Sequence, residues 1–322
     1  MKSILVHQLG SPDALTLADV PIPTPGPTDV LVKVAASGVN FIDVYFRTGQ
    51  YTVPLPATIG SEAAGVVHAV GAEVREFAPG DRVAYVMVRG SYAEYARVPA
   101  SQLVRVPETV SLEHAAAILL QGITAHYLTH SVYALKAGDT CLVHAAAGGT
   151  GALLVQMARQ RGARVFGTTS TAAKAEVARA AGADDVFIYT EHDFAAEARR
   201  LTDGRGVDVV YDGVGKTTFD RILDSLSVRG MMVLFGASSG AVPAFEPAVL
   251  NAKGSLFLTR PGLAHYIATR EELVWRAGEV FALVESGSLT VRIDRTYPLH
   301  HAADAHRALE GRATVGKLLL TM

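Results

Sequence analysis

The chemistry in this chain begins with a glycine-rich run, Cys141-Leu142-Val143-His144-Ala145-Ala146-Ala147-Gly148-Gly149-Thr150-Gly151-Ala152. Gly148 and Gly151 have the spacing that lets a strand-to-helix loop approach a pyrophosphate and pack its helix closely on the strand. Gly149 and Thr150 fall at the expected helix N-terminus, where free N–H groups and a partial positive charge favour phosphate. The run departs from G-x-G-x-x-G by opening on Ala145-Ala146, and alone it also fits a tight turn with no ligand. The alternating strand and helix patterns around it favour a dinucleotide. Thr168 stands twenty residues after Gly148, and Thr168-Thr169-Ser170-Thr171 offers no acid for a ribose 2′-hydroxyl. Lys174 follows in the first turn of the next helix. Hydroxyls, Ser170 among them, and a cation suit a 2′-phosphate, so the expected cofactor is NADPH. Taken alone, Lys174 could equally be a solvated helix lysine.

Alternating elements position that loop. Strands are expected at Thr140 to Ala145, Arg164 to Thr168, Val186 to Tyr189, Val207 to Tyr211 and Met231 to Phe235. Helices are expected at Gly151 to Arg161, Thr171 to Ala181 and Phe194 to Thr202, with Gly162, Gly182 and Gly204 as stops. Such βαβ alternation implies a parallel sheet. The first third reads differently, with short apolar runs (Val30 to Val34, Gly65 to Val70, Arg82 to Val86, Gln102 to Val106) between Pro/Gly clusters, as in a compact β domain. After about residue 265 come a helix from Arg270 to Glu285, a segment from Thr290 to Tyr297, a helix from Ala302 to Glu310 and an apolar strand from Lys317 to Thr321. This tail is expected to complete the first domain, giving a catalytic domain of 1–120 and 265–322 around a dinucleotide-binding domain of 121–264.

Composition narrows the partners. The 322 residues are 49% hydrophobic and 19% charged, enough for a real core. Lys+Arg number 29 against Asp+Glu 31, so no basic excess favours nucleic acid. The single cysteine, Cys141, rules out an internal disulfide and any thiolate-rich metal site, and suggests a reducing, cytoplasmic setting. The N-terminus lacks signal-peptide features, and the apolar stretch from Cys141 to Ala158 reads as a buried strand–loop–helix unit rather than a membrane span.

The two-part layout resembles the medium-chain dehydrogenase/reductase superfamily. That resemblance implies an α/β fold, with a Rossmann-type doubly wound parallel sheet domain plus a β-rich GroES-like catalytic domain. Zinc members use a catalytic Cys and a Gly-His-Glu segment; here it reads Gly60-Ser61-Glu62, with Ser61 in place of the ligand His, so no metal is expected. Within the superfamily the chain is similar to zeta-crystallin-like quinone oxidoreductases, through Ser37-Gly38-Val39-Asn40-Phe41-Ile42-Asp43-Val44-Tyr45, Gly60-Ser61-Glu62-Ala63-Ala64-Gly65, Pro79-Gly80-Asp81-Arg82-Val83, the glycine-rich run, Tyr211-Asp212-Gly213-Val214-Gly215, Thr259-Arg260-Pro261 and Arg312-Ala313-Thr314-Val315-Gly316.

That similarity implies NADPH-dependent quinone reduction by hydride transfer. It places Lys174, Tyr189 and Arg312 at the 2′-phosphate and adds Thr124 to the cofactor set. Gln121 stands where some relatives carry Lys. Asn40, Tyr45 and Tyr51 resemble the residues lining the acceptor pocket; the tyrosines could instead simply pack the domain interface, and Asp43 could cap its loop. The rival enzyme is an NADPH-dependent 2-alkenal/enone reductase. An RNA-binding or structural role is disfavoured by the charge balance. A homodimer is expected, with Ser255 to Thr259 as the candidate sheet edge.

Overall fold

The structure is a computed structural model that describes residues 1–312 and 314–322. Its contacts divide the chain into two units, Met1–Ile123 with Ile267–Met322, and Thr124–Tyr266. Ala313, quoted in the last motif above, lies outside the described residues.

The Thr124–Tyr266 unit is built on six parallel strands in the order Asp185–Ile188, Arg164–Thr169, Thr140–Val143, Val207–Asp212, Leu226–Leu234 and Phe257–Thr259. Thr140–Val143 is buried at every position, because helices cover both faces of such a sheet. Chain order reverses between Thr140–Val143 and Val207–Asp212, the switch point beside which a Rossmann-type fold opens its ligand crevice. The helices Gly149–Gln160 and Ala172–Ala180 stop at Gly162 and Gly182, whose φ values of 78° and 110° are cheap only for glycine.

Two boundaries differ from the sequence expectation for visible reasons. The first strand ends at Val143 rather than Ala145, because Ala145 turns into the left-handed region (φ 52°) to start the loop. The fifth begins at Leu226 rather than Met231 and carries a left-handed Arg229 (φ 59°) within its length.

The other unit has a seven-stranded sheet whose central strand is Asp29–Val39. Glu62–Val70 pairs antiparallel along one side of it. The other side is shared, by Tyr95–Pro99 against residues 29–33 and by the C-terminal strand Lys317–Thr321 against residues 36–39. A three-stranded sheet of Leu15–Asp19, Lys2–Val6 and Ala57–Thr58 completes the β framework. Ile4, Val39, Tyr92, Leu299, Leu318 and Leu320 pack into one core, so the two ends of the chain share it.

Among the described residues, five α-helices lie outside the sequence expectation: Phe41–Thr48, Leu112–Tyr127 and the shorter Phe219–Ser225, Ala248–Ala252 and Leu263–Tyr266. Phe41–Thr48 follows the central strand directly, and Leu112–Tyr127 is apolar around most of its circumference, so no alternation of faces marks it. No helix is long and apolar enough to cross a membrane among the described residues.

Candidate active site

Register delivers the first set of functional groups. Leu318 pairs with Val39 in antiparallel register, which brings Lys317 beside Asn40. Across the same strand, Ala63 pairs with Ser37, which brings Glu62 beside Gly38. The three side chains close on one another. The Lys317 ammonium donates to Glu62 Oε2 at 2.6 Å and to Asn40 Oδ1 at 2.7 Å. Asn40 Nδ2 donates to Glu62 Oε2 at 2.9 Å and to the Gly38 carbonyl at 3.2 Å. Glu62 Oε1 accepts from the backbone N–H of Leu120 at 2.6 Å. Lys317 and Glu62 are both fully buried. Gly38 is required here, since a Cβ would collide with the Glu62 carboxylate. Asn40 therefore has both N–H bonds committed and one Oδ1 lone pair left.

Asn40 also begins the helix Phe41–Thr48, where its N–H donates to Asp43 Oδ2 at 2.9 Å. Asp43 further accepts from Ser61 Oγ at 2.8 Å and from the Tyr92 hydroxyl at 3.1 Å. Tyr92 bonds His306 Nε2 at 3.1 Å, and Arg47 donates to His306 Nδ1 at 3.0 Å. Arg47 is then paired with Glu310 through two bonds of 2.7 and 2.9 Å. Burial and the nearby Arg47 charge hold His306 neutral, depressing it to about 3. The Arg47 bond takes Nδ1, so Nε2 carries the proton and donates to Tyr92, whose hydroxyl donates to Asp43. Burial raises the Asp43 carboxyl to about 6, against the pull of its three donors. Ser61, at the place of a zinc-ligating histidine, thus spends its proton on Asp43.

An aromatic group flanks this network. Tyr45 and Tyr51 meet edge to face at 5.3 Å, Phe46 and Tyr51 do so at 5.7 Å, and Phe41 lies 6.4 Å from Tyr45. Tyr45 is buried and Tyr51 is 37% exposed, so Tyr51 presents the open face of the group.

All the cofactor candidates except Arg312 lie in the other unit. The helix Gly149–Gln160 starts from Gly148, and its first intrahelical bond runs from Ala152 N to Gly148 O at 2.9 Å. The N–H groups of Gly149, Thr150 and Gly151 precede that bond and point out of the helix end. A Cβ on Gly151 would strike the Ala145 carbonyl, so close packing of loop and helix demands glycine there. Parallel pairing of Thr169 with Ile188 sets Ser170 and Tyr189 at neighbouring strand ends, and Tyr189 N donates to Thr169 O at 3.1 Å.

Lys174 sits in the first turn of the helix Ala172–Ala180, capped by Thr171. A cation at a helix N-terminus opposes the helix dipole. Thr168 turns inward instead, bonding His144 Nδ1 at 2.8 Å. Thr124 is nearly buried, and Arg312, in the catalytic unit, lies in an exposed turn with φ 55°. Gln121 keeps a buried Oε1 with no donor, a position open to a ligand N–H or O–H. A pyrophosphate cradle and a carboxylate-free polar set fit an NADP-type cofactor.

A nucleotide-binding sheet with a GroES-like β unit and a polar–aromatic site defines a medium-chain dehydrogenase/reductase. The family described as zinc-binding dehydrogenase matches residues 149–267, and the alcohol dehydrogenase GroES-like domain matches residues 26–108. The chain is 43% identical to quinone oxidoreductase 1 of Escherichia coli over 98% of this chain and 97% of that protein. It is 42% identical to a 2-haloacrylate reductase of a Burkholderia species, covering 99% and 98%. The Escherichia coli quinone oxidoreductase complexed with NADPH superposes with a TM-score of 0.98 at 42% identity, covering both chains in full. A mycobacterial NADPH complex does so at 0.97 and 50% identity, again over 100% of each chain. The protein belongs to the quinone oxidoreductase family of this superfamily.

Lys317, Tyr92, His306 and Arg47 carry no motif in the sequence; only the bare presence of Lys317 at the head of an apolar strand could have flagged it. His306 is a buried link in a polar chain, joining Tyr92 to Arg47.

Two outcomes follow from these environments. Lys317→Met, which strands the Glu62 carboxylate, should cost about 3–5 kcal/mol in urea unfolding, with partial recovery in Lys317→Met/Glu62→Gln; an unchanged midpoint would refute the ion pair. Asp43 has a folded pKa above its unfolded one, so its contribution is full below pH 3.8 and lost as pH rises through about 6. His306 acts oppositely, contributing above 6.5 and losing that as pH falls towards about 3. Asp43→Asn, which mimics the protonated acid, should therefore be about 3 kcal/mol less destabilising, relative to the wild type, at neutral pH than at pH 4. A pH-independent difference in unfolding free energy contradicts the buried carboxyl.

Proposed function

We propose that the protein is an NADPH:quinone oxidoreductase that transfers hydride to a quinone without a metal. The observation that carries the cofactor half is the acid-free run Thr168–Thr171, with Ser170 and Tyr189 at neighbouring strand ends and Lys174 in the first turn of the helix that follows. Hydroxyls and a cation without a carboxylate suit a 2′-phosphate, which an acid in that run would repel. Thr124 contributes a hydroxyl, and the N–H groups of Gly149, Thr150 and Gly151 take the pyrophosphate. NADPH, when bound, supplies the hydride.

Tyr45 and Tyr51 hold a flat acceptor by aromatic contact, and the Tyr51 hydroxyl faces the oxygen on which charge develops. Asn40 offers its remaining Oδ1 lone pair, in an orientation fixed by Lys317 and Glu62. The proton for the reduced acceptor comes from water. A quinone is a strong electrophile and needs no Lewis acid. The donor set agrees, because Ser61 is engaged with Asp43 and the buried Cys141 thiol, pushed up by burial, lies inside a sheet strand. Quinone oxidoreductases at 42–43% identity over nearly the full chain support the reading. The 2-haloacrylate reductase likeness supports the second reading, reduction of a conjugated double bond.

A homodimer accords with the open edge strand Phe257–Thr259, where Phe257 is 56% exposed and a second copy could extend the six-stranded sheet. The one cysteine accords with a cytoplasmic setting.

Initial rates in EDTA with a benzoquinone and a short 2-alkenal test the acceptor, and faster turnover of the alkenal would overturn quinone reduction. For the cofactor, Lys174→Glu should weaken NADPH on the order of 100-fold, about 2.7 kcal/mol, and NADH less than about threefold. Equal losses for both nucleotides, measured by fluorescence titration, would remove Lys174 from the 2′-phosphate.

A further inference from the structure

One exposed cation in the catalytic unit meets an aromatic ring rather than an acid. Arg89 is exposed, and no carboxylate among the described residues pairs with it. Its guanidinium instead lies over the ring of Phe46, 5.4 Å from the centroid. Phe46 packs on Tyr51, and Tyr51 packs on Tyr45, so the cation sits at one end of the aromatic group assigned to the acceptor.

The loop that carries Arg89 is fixed rather than loose. Met87 N donates to Ser61 O at 2.8 Å and Gly90 N to Gly60 O at 3.0 Å. Met87 and Gly90 are left-handed, with φ of 62° and 102°, so the turn projects Arg89 from a backbone tied to the Gly60–Ser61 segment. Ser91 Oγ adds a bond to Ser37 Oγ at 2.7 Å.

The chemistry of such a pair is specific. An aromatic face supports a guanidinium from below and leaves its N–H fork free to meet an anion. Arginine recognises carboxylate, sulfonate or phosphate oxygens through two parallel N–H bonds. A flat acceptor held against Tyr51 would bring a ring-borne anionic substituent towards that fork.

We propose that Arg89 sets acceptor specificity by binding a negatively charged substituent, so that anionic conjugated acceptors are preferred substrates. This rests on the acceptor-reduction reading above. No bond forms or breaks at Arg89; it contributes binding alone, and its effect belongs in KM.

The test compares 1,4-naphthoquinone with 1,4-naphthoquinone-2-sulfonate, using the full chain with NADPH, as wild type, Arg89→Met and Arg89→Lys. Arg89→Met should raise KM for the sulfonate about five- to tenfold and for the neutral quinone less than about twofold, with kcat unmoved. Arg89→Lys should restore most of the sulfonate affinity. Raising salt from about 20 to about 300 mM should erode the sulfonate preference of the wild type but not that of Arg89→Met. An equal effect of Arg89→Met on both quinones overturns the proposal. Failure of the wild type to reduce the neutral quinone would instead count against the functional reading. In that event, equilibrium dialysis of the sulfonate against the NADPH-loaded chain still decides, since binding unchanged by Arg89→Met overturns the role of Arg89.

Discussion

The catalytic unit depends on a buried ion pair at the end of its central strand. Two opposite charges out of water are tolerated only when geometry is good and the leftover donors and acceptors are satisfied. Lys317 and Glu62 meet that condition through Asn40, which bridges them, and through the backbone of Leu120. The pair ties four separate pieces of chain together, namely the C-terminal strand, the strand Glu62–Val70, the helix Leu112–Tyr127 and the start of Phe41–Thr48. Lys317, 277 residues from Asn40 along the chain, thereby fixes the orientation of one amide.

A second network extends from the same amide. Asn40 binds Asp43 through its backbone, and Asp43 connects through Tyr92 and His306 to Arg47 and Glu310. Between Arg47 and Asp43 every donor points towards Asp43, because Arg47 occupies His306 Nδ1 and fixes the tautomer. Such polarity suits a rigid support better than a proton wire, which would need a group at its far end able to release a proton. Arg47 cannot do so in a protein. The helix that carries Tyr45 is thus held by a polar frame, and the face it shares with Phe46 and Tyr51 is free to be aromatic.

Legibility in the sequence followed the range of the interactions. Elements set by local pattern could be read directly: Arg270–Glu285, Ala302–Glu310, Lys317–Thr321 and Arg82–Val86 have the expected ends. The parallel sheet was readable too, because continuous apolar strands and glycine helix stops are local signals. Phe41–Thr48 was hidden by its aromatic and β-branched residues, which favour strands in isolation, while its cap depends on Asp43 folding back to Asn40. At the site, the glycine loop and the acid-free run are short-range features. The roles of Glu62 and Lys317 are not, since antiparallel register alone brings them together. Thr168 shows the limit of counting: the twentieth residue faces His144 in the interior, and Ser170 two positions later takes the strand end.

Three cations show how charge placement separates architecture from recognition. Lys317 is buried, a cost offset by Glu62 within the protein, so its role is complete without a ligand. Lys174 stands where a helix dipole disfavours it, and Arg89 stands exposed on an aromatic ring with no acid opposite. Lys174 joins a strand-end run of hydroxyls that carries no acid, whereas Arg89 lies on a ring that leaves its N–H fork open. On the proposed reading an anionic acceptor supplies the charge opposite Arg89.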